Sequence, residues 1–280
     1  MMSEAWWKRV AKAVFKIAGI SYMMESEVDP ERNTVIVDGK EYSANQLQWE
    51  APVSGAIYGV LLNYKGEWEQ FREQMTKPPY HHPPNAPILY MKPSNTVNVH
   101  GGCIPLPDDV SELQVGAALG VVIGQTATKV AKERAFDYIS GYTIVNDVTI
   151  PHETIYRPAV KERARDGFTP VGPWVVEKKD VDDPDLLDIR VFVNDRLVQH
   201  NNTKHLMRSV ASLLADITEF MTLYPGDVLL VGVPERAPLV KAGDYVRIEI
   251  EKIGRLENTV VHEKDWIKET GSHETRAHSV

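Results

Sequence analysis

One aspartate and a scatter of basic side chains hold most of the chemical potential of this chain. Asp147 ends an apolar run in the dipeptide Asn146-Asp147. A carboxylate at a strand exit can ligate a hard cation, which takes oxygen donors in strict geometry, or it can cap local backbone. Lys92, Arg157, Lys161, Arg163 and Arg165 can each pair with a carboxylate, the arginines through two parallel hydrogen bonds. Thr203 offers a hydroxyl to an anion, and helix capping explains it equally well. Glu67 could move a proton if partly buried; otherwise it is an exposed helix charge. His81 and His82 are adjacent and point apart in an extended chain, which rules against chelation by the pair. Cys103 has no base at motif spacing and reads as a structural thiol. No phosphate loop, dinucleotide fingerprint or zinc spacing is present.

Composition bounds the function classes. The chain has 280 residues, 43% hydrophobic and 25% charged, with a net charge of −8. These values suit a globular protein with a sizeable core and argue against a nucleic-acid partner. The single cysteine excludes an internal disulfide framework and fits a reducing, cytoplasmic setting. No apolar run is long enough to span a bilayer, which argues against membrane contact by that route.

The elements that must position these side chains follow from patterning. Trp6, Val10, Val14 and Ile17 recur at helical spacing among Lys8, Arg9, Lys12 and Lys16. This predicts a basic amphipathic helix and linker over 1–33, docked on the protein's own body or a neighbouring subunit rather than on a membrane. Residues 34–52 form a small N-terminal β element, with Asp38-Gly39 as a tight turn. A main domain spans 53–264 and a polar tail 265–280. Strands are expected over 56–62, 115–123, 142–148, 186–193, 228–233 and 245–251, and helices over 67–75 and 132–140. Asn202 or Thr203 caps a further helix running to Met221, and the five prolines of 76–87 make an extended loop. Many short strands with few helices give a β-rich α+β fold.

Several landmarks occur together and in order. They are Leu62-Asn63-Tyr64, Met91-Lys92-Pro93-Ser94, Gly116 to Gly124, Gly141, Asn146-Asp147, Val193-Asn194-Asp195, Thr222 to Val228 and Gly232-Val233-Pro234. Over roughly 34–263 the chain resembles the fumarylacetoacetate hydrolase family. That resemblance implies a β-roll preceded by a small N-terminal element. It also implies a Mg²⁺ or Mn²⁺ ion held by two glutamates one residue apart and an aspartate. The aspartate position is Asp147, but the glutamate positions read Gly116 and Ala118. Glu112, Asp108 and Asp109 are the nearby carboxylates that could stand in. The family's lid histidine and glutamate positions read Glu67 and Gln70, and a threonine common in relatives is Val233.

Tyr156-Arg157-Pro158 and Arg165 to Pro170 narrow the resemblance to members that isomerise and decarboxylate 2-oxo or 2-hydroxy-diene dicarboxylic acids in aromatic breakdown. Among them, halves lacking the paired glutamates are joined to, or assembled with, halves that keep them. Glu67, Lys92, Arg157, Arg165 and Thr203 are the catalytic candidates this implies, and Asp147 the metal ligand. The implied partners are a small dicarboxylic oxo or enol acid, with a second copy of the chain or a metal-bearing paralogue. A silent scaffold subunit, or an independent hydrolase or decarboxylase with unusual ligands, remains open.

Overall fold

Alternation, not helical spacing, governs the first described segment. The computed structural model describes residues 10–152, 155 and 157–267. Ala11–Ile17 is a strand, β1, with Ala11, Ala13 and Phe15 buried and Lys12 exposed between them. The expected amphipathic helix is therefore corrected over these residues, while Trp6, Lys8 and Arg9 fall outside the described ones. Apolar residues two apart put one face against the core once a neighbouring strand is available. The polar segment that follows is also a strand, β2 (Met24–Asp29), and β3 (Thr34–Val37) and β4 (Lys40–Ser43) complete a meander. The linker expected before residue 34 is thus part of this sheet.

The remaining elements are β5 (Trp49–Glu50), β6 (Ile57–Leu61), helix α1 (Lys65–Met75), β7 (Ile88–Lys92), β8 (Val97–Val99), β9 (Cys103–Leu106) and β10 (Leu113–Gln114). They continue with β11 (Ala117–Ile123), β12 (Ile139–Asn146), the single turn α2 (Val160–Arg163), β13 (Thr169–Glu177), β14 (Asp188–Val193) and β15 (Arg196–Asn202). Helix α3 (Val210–Thr218), β16 (Val228–Leu230), β17 (Leu239–Val240), β18 (Tyr245–Ile250) and β19 (Gly254–His262) close the order. Residues 76–87 run without strand or helix, as their prolines require.

A large sheet runs β4-β3-β2-β1-β13-β12-β11-β16-β6-β7, with β5 on β1 and β8 on β13. A five-stranded sheet, β15-β14-β18-β19-β9, packs against it. The molecule is mostly β, as the patterning predicted. All seven residues of β11 are buried, so this strand reads as an unbroken apolar run.

Two helical expectations change in detail. Residues 132–138 form a 3₁₀ helix rather than an α-helix. Asn202 and Thr203 open only a 3₁₀ turn over 203–205, and α3 starts later, where Ser209 Oγ accepts the Ser212 N–H at 3.2 Å. The apolar stripe Val210, Leu213, Leu214 and Ile217 is buried as its spacing demands.

Aromatic packing ties the N-terminal strands to the roll. The Trp49 ring meets Phe15 edge-on at 5.8 Å and Trp174 at 5.9 Å, and the Trp174 indole N–H donates to the Ile253 carbonyl at 2.8 Å. Phe15 has no exposed surface. Phe15→Ala should lower the unfolding free energy by about 3–5 kcal/mol in urea titrations, since it leaves a cavity between three elements.

Candidate active site

Two antiparallel pairings bring the charged residues to one place. The pairing of β11 with β12 sets Ala117 opposite Asn146, which puts Gly116 beside Asp147 at the sheet's end. There Asp147 N–H donates to the Gly116 carbonyl at 2.8 Å, and Gly116 N–H donates to Asn146 Oδ1 at 3.0 Å. The pairing of β6 with β7 sets Gly59 opposite Tyr90 and Ile57 opposite Lys92. Tyr90 and Lys92 are two apart on one strand, so they share a face. A Cβ on Gly59 would lie 2.0 Å from Tyr90 Cζ, so only glycine lets that ring lie across β6.

Asp147 is the centre of the cluster. Lys92 Nζ lies 2.9 Å from Oδ1, and Arg163 Nη1 lies 2.7 Å from Oδ2. The Tyr90 hydroxyl donates to Oδ2, and the Arg163 guanidinium stacks 4.6 Å above the Tyr90 ring. Lys92 also donates to the carbonyls of Val148 at 3.2 Å and Arg163 at 2.8 Å, so the main chain holds it beside Asp147, whose Oδ1 has an ion-pair contact but no aligned hydrogen bond among the described residues. Neither the Lys92 nor the Asp147 side chain is exposed. Burial alone would raise the Asp147 carboxyl, but Lys92, Arg163 and the Tyr90 hydrogen bond hold it below the usual carboxylate range. Burial pulls Lys92 down, against the opposing effect of Asp147. Burial lifts the Tyr90 phenol well above its ordinary value, and Asp147 adds to this.

Glu67 stands on the first turn of α1, and its Oε2 is buried without a hydrogen-bond partner among the described residues. Burial pushes its carboxyl up to about 8, against the pull of Arg163 and the Leu62 backbone. At neutral pH it is mainly a protonated acid, poised to exchange its proton near pH 8. The neighbouring Tyr64 hydroxyl and Glu235 Oε2 are likewise buried without hydrogen-bond partners among the described residues. A cavity of about 200 Å³ opens here, lined among others by Glu67, Asp147, Thr149, His152, Arg163 and Val233. His152 Nδ1 lies 2.9 Å from the Ile150 carbonyl and must donate to it, which leaves Nε2 as the acceptor in the neutral ring.

Of the sequence candidates, the fold gathers Glu67, Lys92 and Asp147, together with Arg163. Arg157 and Lys161 are exposed, and Arg165 turns its Nε to the Lys161 carbonyl at 3.2 Å, away from the cavity. Thr203 is buried elsewhere; its hydroxyl accepts the Leu187 N–H at 2.8 Å, so it fastens β15 to the start of β14. Gln70 lines the cavity, whereas Asp108, Asp109 and Glu112 do not. His81 and His82 are exposed, and Tyr156 lies outside the described residues. Tyr90 and His152 had no motif to announce them. The available signal for Tyr90 was its place two residues before Lys92, the spacing that shares a face if the segment is a strand.

The residues present do not fit a divalent cation at Asp147. Such an ion needs several oxygen donors at once. Asp147 spends both oxygens on two cations and a phenol, and Gly116 and Ala118 carry none. A Cβ added at Gly116 would sit 2.2 Å from the Asp147 carbonyl oxygen, so the backbone leaves no room for a side chain there. Among the described residues, no group of three His, Cys, Asp or Glu side chains is placed to hold a metal.

The rolled sheets and the Asn146-Asp147 exit beside a small charged cavity define a fumarylacetoacetate hydrolase-like protein. Residues 56–261 match the Fumarylacetoacetate (FAA) hydrolase C-terminal family, and the chain belongs to that family. It is 40% identical over 213 residues to the 4-hydroxyphenylacetate degradation bifunctional isomerase/decarboxylase of Escherichia coli, covering 76% of this chain and 48% of that one. The chain thus spans about half the length of the curated relatives it matches first. A 5-carboxymethyl-2-hydroxymuconate delta-isomerase from Mycobacterium smegmatis superposes with a TM-score of 0.74 at 28% identity, over 89% of this chain and 98% of that one. A 2-hydroxyhepta-2,4-diene-1,7-dioate isomerase from Mycobacterium marinum does so at 0.70 and 27%, over 90% and 99%. No helix among the described residues is long and apolar enough to cross a membrane.

Two outcomes follow from the site's electrostatics. Asp147→Asn would leave Lys92 buried without its counter-charge and should cost about 3–5 kcal/mol of stability in denaturant titrations. Glu67 binds its proton more tightly folded, near 8, than at its ordinary value of 4.5. Its contribution is therefore complete below that ordinary value and is lost as pH rises through the folded one. Glu67→Gln should gain stability relative to the unsubstituted protein between about pH 5 and pH 8.5, by up to a few kcal/mol, in paired thermal melts.

Proposed function

We propose that this chain is one half of a two-part isomerase/decarboxylase acting on 2-oxo or 2-hydroxy-diene dicarboxylic acids in aromatic breakdown. A metal-bearing copy of the fold supplies the other half. The observation that carries this reading is the neutralised Asp147, gripped by Lys92 and Arg163 where family resemblance implies a metal ligand. The E. coli relative supports it: this chain accounts for 48% of that protein, which leaves length for a second domain of similar size. The degenerate metal site is part of the same proposal.

The chain's own contribution is proton transfer. In the isomerisation, ionised Glu67 takes the proton of the 2-hydroxyl group. The electron pair moves through the diene to a distal carbon, and protonated Glu67 returns the proton there, giving the 2-oxo-ene with no net gain or loss of atoms. Arg163 beside the cavity offers positive charge to the transient dienolate.

A scaffold role is the second reading, favoured by the burial of Lys92, which is hydrogen-bonded to two carbonyls and ion-paired to Asp147. One experiment separates the two. The chain, a Glu-x-Glu-bearing family member and their mixture are compared by light scattering, by Mg²⁺ calorimetry and by ultraviolet loss of 2-hydroxyhepta-2,4-diene-1,7-dioate. Co-migration, no Mg²⁺ binding by the chain alone, and an isomerisation lowered at least tenfold by Glu67→Gln in this chain are expected. Full activity of the Glu67→Gln mixture would favour the scaffold. Stoichiometric Mg²⁺ binding by the isolated chain would overturn the two-part reading.

A further inference from the structure

The mouth of the cavity carries a charge that the proton-transfer chemistry does not use. Arg236 lines it, is exposed, and makes no side-chain hydrogen bond or ion pair among the described residues. Its neighbour Glu235 also lines the cavity but is tied to the wall formed by α1 and β15. That carboxyl accepts from Asn201 Nδ2 at 3.2 Å and packs so closely on α1 that a Cβ at Gly66 would lie 2.1 Å from its Cδ.

The backbone around Arg236 is fixed from both sides. Gln199 Nε2 donates to the Pro234 carbonyl at 3.3 Å and to the Glu235 carbonyl at 2.7 Å. Val115 N–H donates to the Pro238 carbonyl at 2.9 Å, and Gln114 Nε2 reaches the Ala237 carbonyl at 3.5 Å. Within this clamp Arg236 has φ of 56°, in the left-handed region that glycine occupies without penalty. A long, charged residue held there is a strained position kept by its surroundings, and such positions concentrate where a side chain is presented to a ligand.

We propose that Arg236 is the specificity-determining residue of this pocket, binding the second carboxylate of a dicarboxylic substrate at the mouth while Arg163 and Glu67 face the reacting end. The proposal rests on the functional reading above and adds the group that tells a dicarboxylate from a monocarboxylate. A guanidinium suits the task because its planar donors match both oxygens of a carboxylate. The floor is committed elsewhere: the Lys92 side chain is wholly buried against Asp147 and two carbonyls, and Arg163 serves the reacting end.

The test uses calorimetry on the full chain with two probes, hexanedioate and hexanoate. The unsubstituted protein should bind the dioate roughly ten- to a hundredfold more tightly, the range of one charge-assisted contact. Arg236→Gly relieves the left-handed strain, so it keeps the fold while removing the guanidinium; it should abolish the preference. Arg236→Lys should keep part of it, as a point charge without the planar fork. A full preference in Arg236→Gly, or none in the unsubstituted protein, would overturn the proposal and leave the isomerase reading standing. Failure of both probes to bind the unsubstituted protein would overturn both.

Discussion

The buried cluster of Lys92, Asp147 and Arg163 is the constraint around which this half of the molecule is organised. Taking one carboxylate and two cations out of water is costly, and their attraction offsets this only when each remaining hydrogen-bonding valence is met. Here main chain and phenol meet part of that demand: Val148 and Arg163 carbonyls for Lys92, and the Tyr90 hydroxyl for Asp147 Oδ2, while Oδ1 relies on its ion pair with Lys92. Four elements thereby converge on one point. β7 brings Tyr90 and Lys92, the end of β12 brings Asp147, and α2 brings Arg163, while α1 covers the cavity with Glu67. The cluster sets the local field, and the field sets what Glu67 can do. Without the positive charge of Arg163, the same burial would drive the Glu67 carboxyl still higher.

Close backbone approaches make the arrangement possible. Gly59 lets the Tyr90 ring lie flat across β6, and Gly66 lets the Glu235 carboxyl press against α1. In both places a methyl group would occupy the space of a functional side chain. The unpartnered oxygens of Tyr64, Glu67 and Glu235 sit along the same wall. A wall of unsatisfied polar atoms is a poor structural element but a useful binding surface, because an incoming donor gains a hydrogen bond that the empty cavity lacks.

The fold was legible where periodicity had one solution. The seven apolar residues of β11, the alternation of β18 and the stripe of α3 each admit a single element. It was illegible at β1, where two periods fit the same letters. Val10, Val14 and Ile17 satisfy a helix, while Ala11, Ala13 and Phe15 satisfy a strand. Only pairing with β13, Phe15 opposite Trp174, decides between them. The site divides in the same way. Lys92 and Glu67 sit on regular elements, and Asp147 directly follows one whose pairing fixes its place. Arg157 and Arg165 sit on irregular chain and Thr203 on a short 3₁₀ turn, whose directions are set by distant contacts, such as Asn95 holding the Ala164 carbonyl. Their types suited anion binding, but type says nothing about which way a loop faces.

The contact between Gly116 and Asp147 bears on where such a pocket can vary. β11 and β12 close to the point where the next atom on residue 116 has nowhere to go. Any side chain placed there would require the strand ends to part, which disturbs the pairing that also places Asn146 and Asp147. An added anion would in addition meet cations already committed to Asp147. The geometry leaves the rim of the pocket freer to vary than its floor.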